Sequence, residues 1–250
     1  MNFMSPLGLI LALAAIALGF FLEGGKLALL FQPEGLLIVL GGTLAAVMVQ
    51  NSWSSFVDGL RLLGWVFNSP KPINENNLAT LIAWGRKAML EGLPALESVE
   101  THNIGQFAQR GLQLLASGHP TPIIEDALRR ELDAYERKQI AAARIWHQAG
   151  GYAPTFGIVG AVLGLIQVTS HIAEPMALGE GIAVAFVSTL YGVGFANIAF
   201  LPLYGKIKAL IENERRYRTL YLDGILAISR KESPRTIETR LQGEIRQTAH

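Results

Sequence analysis

The stretch Tyr152 to Val168, YAPTFGIVGAVLGLIQV, decides the fold. It carries no charged side chain and is apolar along most of its length, yet it contains Pro154 and the glycines Gly157, Gly160 and Gly164. Proline and glycine weaken a helix in water. In lipid the backbone must satisfy its own polar groups, so a run of this kind is helical and its small residues mark places where another helix comes close.

Working outward, half of the 250 residues are hydrophobic and only 16% are charged, a balance outside that of an ordinary soluble domain. Four stretches lack Asp, Glu, Lys and Arg altogether: Phe3 to Leu22, Gly35 to Val57, Ala149 to Ala173 and Gly181 to Gly205. At about 1.5 Å per residue, about 20 helical residues cross a hydrocarbon core of about 30 Å. The second stretch has the weakest signal, because Asn51, Ser52, Ser54 and Ser55 are polar and its strongly apolar part ends near Val49. The first is not a cleaved leader by pattern, since Met1-Asn2-Phe3-Met4 supplies no basic segment and no small-residue cleavage signal precedes Glu23-Gly24-Gly25. The expected fold is therefore an all-α integral membrane protein with four transmembrane helices.

Basic residues orient such helices. Ten of the 21 lie between Ser52 and Gln148 and ten from Lys206 onward, leaving Lys26 alone on the other side. Both termini and the middle region are thus expected in the cytoplasm, with short outward loops at Glu23 to Glu34 and Glu174 to Glu180. This organisation gives spans 1 and 2 in residues 1–50 and a cytoplasmic helical region in 51–148. Spans 3 and 4 fall in 149–206, and cytoplasmic C-terminal helices in 207–250. Within the middle region, Leu78 to Glu100, Gln106 to Ser117 and Ile123 to Gln148 read as helices, separated by Pro70-Lys71-Pro72 and His119-Pro120-Thr121-Pro122. Ile124, Leu128, Leu132, Tyr135 and Ile140 form an approximate apolar stripe on the last of these, which continues the third span into the cytoplasm. Lys206 to Ser229 extends the fourth span in the same way, and Ser233-Pro234 opens a terminal helix.

Gly157, Gly160 and Gly164 stand one turn apart on the third span, and the fourth repeats the device with Ala185, Ser188, Thr189, Gly192 and Ala196. Both spans are expected to pack closely against other helices; the plain alternative is that glycine is common in membrane helices. Pro154 and Pro202 each remove a backbone donor, which reads either as a helix start and a kink or as a pair of hinges. No charge-free span contains a carboxylate, lysine or arginine, although ion pumps and proton relays place such a group at membrane depth. If protons move, a partner chain must bring the carboxylate. This chain can offer hydroxyls, chiefly Ser188, Thr189 and Tyr191, either lining a pathway or bonded back to their own helix. His147 and His171, at the two ends of the third span, read as interfacial. With no cysteine there is no disulfide or thiolate metal site. No phosphate loop, HExxH or G-x-S-x-G is present, so neither an enzyme, a metal, a cofactor nor a nucleic-acid partner is expected.

Taken together, PEGLLIVLGGTLAA (Pro33 to Ala46), YAPTFGIVGAVLGLI (Tyr152 to Ile166), AVAFVSTLYGVGFANIAFLPLYGKI (Ala183 to Ile207) and LDGILAI with SPRTIETRL (Leu222 to Leu241) resemble the MotA family. These are the ion-channel stator subunits of the bacterial flagellar motor, within the wider group that includes ExbB and TolQ. The N-terminal hairpin of two spans resembles MotA more than the three-span ExbB and TolQ, whose energising of an outer-membrane process is the alternative reading. A non-conducting membrane scaffold is a third.

The resemblance implies a multi-pass protein of the bacterial inner membrane, a pentamer of this chain around a dimer of a MotB-like partner. That partner's single span carries the proton-binding aspartate, and its outer domain grips peptidoglycan. Pro154 and Pro202 match the prolines that couple ion passage to conformational change, and Thr189 matches the threonine facing the aspartate. Sodium-driven relatives of the PomA type carry a threonine after the glycine that Gly160 matches. Ala161 at that position implies protons, with sodium the alternative. For contact with the rotor protein FliG, GLPALE (Gly92 to Glu97) matches the family's pattern and points to Glu97. The basic pair Arg86 and Lys87 lies farther upstream than in relatives and is carried over by helical periodicity. The plain alternative for each of the three is a solvated helix charge.

Overall fold

The computed structural model describes residues 4–68, 75–99, 104–170 and 175–248. All regular elements among them are helical. In chain order the α-helices are α1 (Met4–Leu22), α2 (Pro33–Gln50), α3 (Trp53–Arg61), α4 (Leu63–Phe67), α5 (Glu75–Glu91), α6 (Gln106–Ala116), α7 (Thr121–Ser170), α8 (Pro175–Gly194), α9 (Leu201–Ser229) and α10 (Pro234–Thr248). Short 3-10 turns cover Leu27–Leu30 and Leu93–Ser98, and a π-helical turn, Phe195–Phe200, joins α8 to α9. Among the described residues three stretches are long and apolar enough to cross a membrane, Leu27–Gln50, Thr121–Thr169 and Gly181–Ser229, and Pro6–Leu22 is a shorter apolar helix. The chain forms two compact units, Met1–Ser69 with Gln139–Ala209 and Pro70–Lys138 with Leu210–His250.

In the first unit, α2 buries one residue per turn: Gly35, Val39, Thr43 and Val47. Residues four apart share a helix face, so this stripe is the packed face. The other faces expose large apolar side chains, with Leu37 at 74% and Val49 at 90% accessible, and α8 exposes Phe186 to 74%. Such apolar surface is costly in water and costless in lipid. Val47 and Phe56 pack on Ile145 and Ala149, and Val39 on Ala153 and Ala196. Polar side chains fasten the ends of these helices. Asn51 donates to the Gln148 side chain at 2.5 Å, the Trp146 indole to the Gly59 carbonyl at 2.9 Å, and the Tyr152 hydroxyl to Gln50 at 2.9 Å.

The second unit is a helical core built on buried Leu81, Leu96, Phe107, Leu115, Ile124, Leu128, Leu220, Tyr221, Ile225 and Ile237. The stripe read on α7 supplies Ile124, Leu128 and Leu132 to it. Arg218 lies 3.5 Å from the centre of the Tyr135 ring and pairs with Glu214 at 3.0 Å, where both charged side chains are mostly covered. Burial, with Glu214 nearby, pushes the Tyr135 phenol up to about 12. Burial likewise raises the Tyr221 phenol, which accepts a 3.2 Å bond from Asn77.

Several expected boundaries move. The charge-free stretch Gly35 to Val57 is two helices: α2 stops at Gln50, and Ser52 caps α3 by accepting a 3.3 Å bond from the Ser55 amide. Leu78 to Glu100 is interrupted after Glu91, where Gly92 adopts φ +89°, open to glycine at little cost, and Pro94 follows. The expected outward loop from Glu174 is largely helix, because Pro175 opens α8 and its fixed φ suits a first helical position. Helix α7 runs unbroken from Thr121 to Ser170 and α9 extends to Ser229, the long extensions expected from the sequence. Ser233 caps α10 through the Thr236 amide at 3.2 Å. Pro70 to Pro72 and His171 lie outside the described residues.

Candidate functional site

The helices α7 and α8 meet backbone to backbone. A Cβ added at Gly157 would lie 3.0 Å from the Ser188 carbonyl oxygen and 3.2 Å from the Gly192 Cα. One added at Gly192 would lie 3.0 Å from the Gly157 Cα and 3.1 Å from the Pro154 Cα, so these two glycines face each other. Farther along, a Cβ at Gly164 would stand 2.9 Å from both the Ala185 nitrogen and the Gly181 carbonyl oxygen. At Gly160 it would stand 2.8 Å from the Ser188 Cβ. Every small residue singled out on the third span therefore lies in one seam with α8.

Next to the seam is an apolar groove of ≈ 460 Å³, lined by Ala161 and Leu165 of α7 and by Ala185, Phe186, Thr189, Leu190 and Val193 of α8. Thr189 is the sole polar side chain in that lining. Its hydroxyl donates to the Ala185 carbonyl at 3.3 Å, a long bond that ties up its proton and leaves its lone pairs for the groove. The fold thus brings Thr189 and Ala161 to one surface. Chemically the groove can offer one hydroxyl oxygen in an apolar wall, too few oxygens to hold a desolvated cation unaided. Among the described residues no cluster of His, Asp or Glu could hold a metal ion.

The three neighbouring positions on α8 face differently. Ser188 is completely buried, and its hydroxyl has no hydrogen-bond partner among the described residues. Tyr191 points its hydroxyl into the connection between α1 and α2, donating to the Leu30 carbonyl and accepting from the Gln32 amide at 3.1 Å. Of the three hydroxyls considered for a pathway, Thr189 alone lines the groove.

Pro154 lies inside α7, opposite Gly192 in the seam. Pro202 is the second residue of α9, immediately after the π-helical turn, and is exposed. A π turn and a proline both offset the helical hydrogen-bond ladder, and here they adjoin. In the second unit Glu97 is exposed on the 3-10 turn that follows Gly92, and Lys87 of α5 reaches that turn by donating to Ser98 at 2.7 Å. Arg86 is exposed on α5. Beside them is a cleft of ≈ 470 Å³ whose lining includes Met89, Leu93, Pro94, Ile228 and Lys231. Sequence reasoning missed the Tyr191 anchor and this cleft, since neither has a local pattern.

The family model described as the MotA/TolQ/ExbB proton channel family matches residues 99–219, and that of the motility protein A N-terminal region matches 6–87. Motility protein A of Bacillus subtilis (strain 168) is 32% identical over 238 residues, covering 95% of this chain and 88% of that protein. Chemotaxis protein PomA of Vibrio alginolyticus is 29% identical over 242 residues, covering 97% and 94%. Among solved structures, that of C. jejuni MotAB matches with a TM-score of 0.90 at 28% identity, covering 98% of this chain and 96% of that one. The flagellar MotAB stator complex from Bacillus subtilis matches with a TM-score of 0.86 at 32% identity, covering 94% and 92%. The chain belongs to the MotA/TolQ/ExbB proton channel family.

Proposed function

We propose that this chain is a stator subunit of a bacterial flagellar motor, and that with a MotB-like, single-span, peptidoglycan-binding partner it forms an ion channel that turns ion-motive force into torque. The observation that carries this reading is the groove in which Thr189 and Ala161 meet, in a chain whose charge-free spans contain no carboxylate. A partner's span seated there would place its aspartate against the Thr189 hydroxyl. The match of the N-terminal model over residues 6–87 supports a motor stator rather than an ExbB-like or TolQ-like energiser.

In this scheme several copies, five by resemblance to the family, surround a partner dimer in the inner membrane, with both termini and the second unit in the cytoplasm. The chain itself is not an enzyme; its output is mechanical. One elementary charge crossing 100 mV releases about 2.3 kcal/mol. That energy biases rotation if protonated and ionised partner carboxylates interact differently with successive subunits. Pro154 in the seam and Pro202 after the π turn are the points where α7 and α8–α9 bend during such a cycle. Glu97, Lys87 and Arg86 face the rotor protein FliG. The ion is the proton, because Ala161 withholds the oxygen that a threonine would offer to sodium.

The deciding experiment is motility of a stator-deleted strain complemented with this chain and its partner in sodium-free and sodium-rich media. Swimming at equal speed in both is expected; speed that tracks sodium at fixed pH would reassign the ion, and no swimming in either would remove the motor reading. Charge reversal of Glu97 and Lys87 should cut swimming while leaving proton current through the assembled complex intact.

A further inference from the structure

Ser188, like Thr43 of α2, is completely buried and without a hydrogen-bond partner among the described residues, whereas Thr155 of α7, Thr189 of α8 and Asn197 of the π-helical turn each bond back to a carbonyl one turn earlier. A buried orphan hydroxyl is costly and calls for an explanation. A bridging water does not supply one, because the hydroxyl is jammed between two glycine backbones. A Cβ at Gly35 of α2 would overlap the Ser188 Oγ, and one at Gly160 of α7 would lie 2.9 Å from it. Glycine Cα–H groups are the donors that remain at such close approach.

We propose that Ser188 is a positioning residue for the ion pathway: wedged between Gly35 and Gly160, it fixes the rotation of α8 that presents Thr189 to the groove beside Ala161. This rests on the stator reading above. Successive residues of an α-helix are about 100° apart around its axis. With Ser188 locked inward against α2 and α7, Thr189 necessarily faces the groove. The Ser188 Cβ packs on Gly160 and its γ oxygen adds the close approach to Gly35, so one side chain engages α2 and α7 at once. Loss of the γ oxygen leaves the seam packed but lets α8 rotate, so the Thr189 oxygen no longer has one fixed azimuth.

The test uses the full chain co-expressed with its partner, comparing S188A, T189A and the double variant. Two quantities are measured for each: proton current per assembled complex in membrane vesicles, and melting temperature of the purified complex. S188A removes an unsatisfied polar atom, so assembly and melting temperature should equal or exceed wild type, while current per complex falls at least threefold. T189A should fall by more, and the double variant no further than T189A, because Ser188 acts through Thr189. Unchanged current in S188A overturns the proposal, as does a double variant whose loss is the product of the two single losses. A drop in melting temperature that accounts for the lost current would make Ser188 a packing residue only and also overturn it. Failure of the stator reading would look different, since the wild-type complex itself would then carry no proton current.

Discussion

The two units of this chain hold their helices together by opposite means. In the first, Gly157, Gly192 and Gly164 let backbones touch, and the large apolar side chains, such as Leu37, Val49 and Phe186, point outward. In the second, large side chains such as Leu81, Phe107, Leu128 and Tyr221 fill the interior, and ion pairs such as Arg129–Glu125 and Arg130–Asp126 decorate exposed faces. The difference is one of solvent. Where the surroundings are hydrocarbon, burying a leucine gains nothing over leaving it in lipid, so association depends on close van der Waals approach. Where the surroundings are water, each buried aliphatic side chain contributes about 1.5–3 kcal/mol and the core is made of them.

Adding bulk should therefore be most damaging in the first unit and removing it most damaging in the second. The largest effect is expected for Gly192→Val, whose side chain would enter space held by the Ala153 carbonyl and the Gly157 and Pro154 backbones. Co-purification with the partner and swimming should both be abolished; a variant that assembles normally would break the contrast. Leu81→Ala is its counterpart in the second unit, where Leu81 is fully buried against Gly224. It should cost about 2–5 kcal/mol. Thermal unfolding of the detergent-solubilised protein reads this loss.

A smaller effect is expected from Ser52→Ala, which deletes the cap of α3 and should cost about 0.5–2 kcal/mol. Amide hydrogen exchange confined to the start of α3 would register it. The last effect, absent at neutral pH, is titration of Tyr135. Its folded pKa of about 12 lies above the ordinary 10.0, so the unfolded chain loses its proton first as pH rises. Stability from this group is fully present below pH 10 and is lost between pH 10 and about 12. Tyr135→Phe should flatten the fall in melting temperature over that window, and a fall of unchanged slope would show that other groups dominate it.

Much of the architecture is legible in the sequence because lipid imposes a coarse rule: a charge-free run of sufficient length is a helix. The long helices around Tyr152 and Ala183 follow from that rule, and the start of α10 at Ser233 carries its own local chemistry. Boundaries were less legible where apolar composition continues past the end of a helix, as at Gln50, or where one glycine breaks a helical pattern, as at Gly92. The glycine seam could be anticipated from its spacing. The partners of those glycines, and the separate fates of Ser188, Thr189 and Tyr191, could not.

By itself, then, the sequence determined that this chain is an all-helical membrane protein with close-packed small-residue spans and no carboxylate of its own within the charge-free runs. Composition and one-turn periodicity are local properties, and lipid reads them locally. Only the tertiary structure decided that three neighbouring hydroxyls on α8 have three different surroundings: Ser188 between Gly35 and Gly160, Thr189 in the groove with Ala161, and Tyr191 on the α1–α2 connection. A helix turns by about 100° per residue, so what each side chain meets depends on how α2 and α7 lie against α8, and that packing is set by residues more than a hundred positions apart in the case of Gly35.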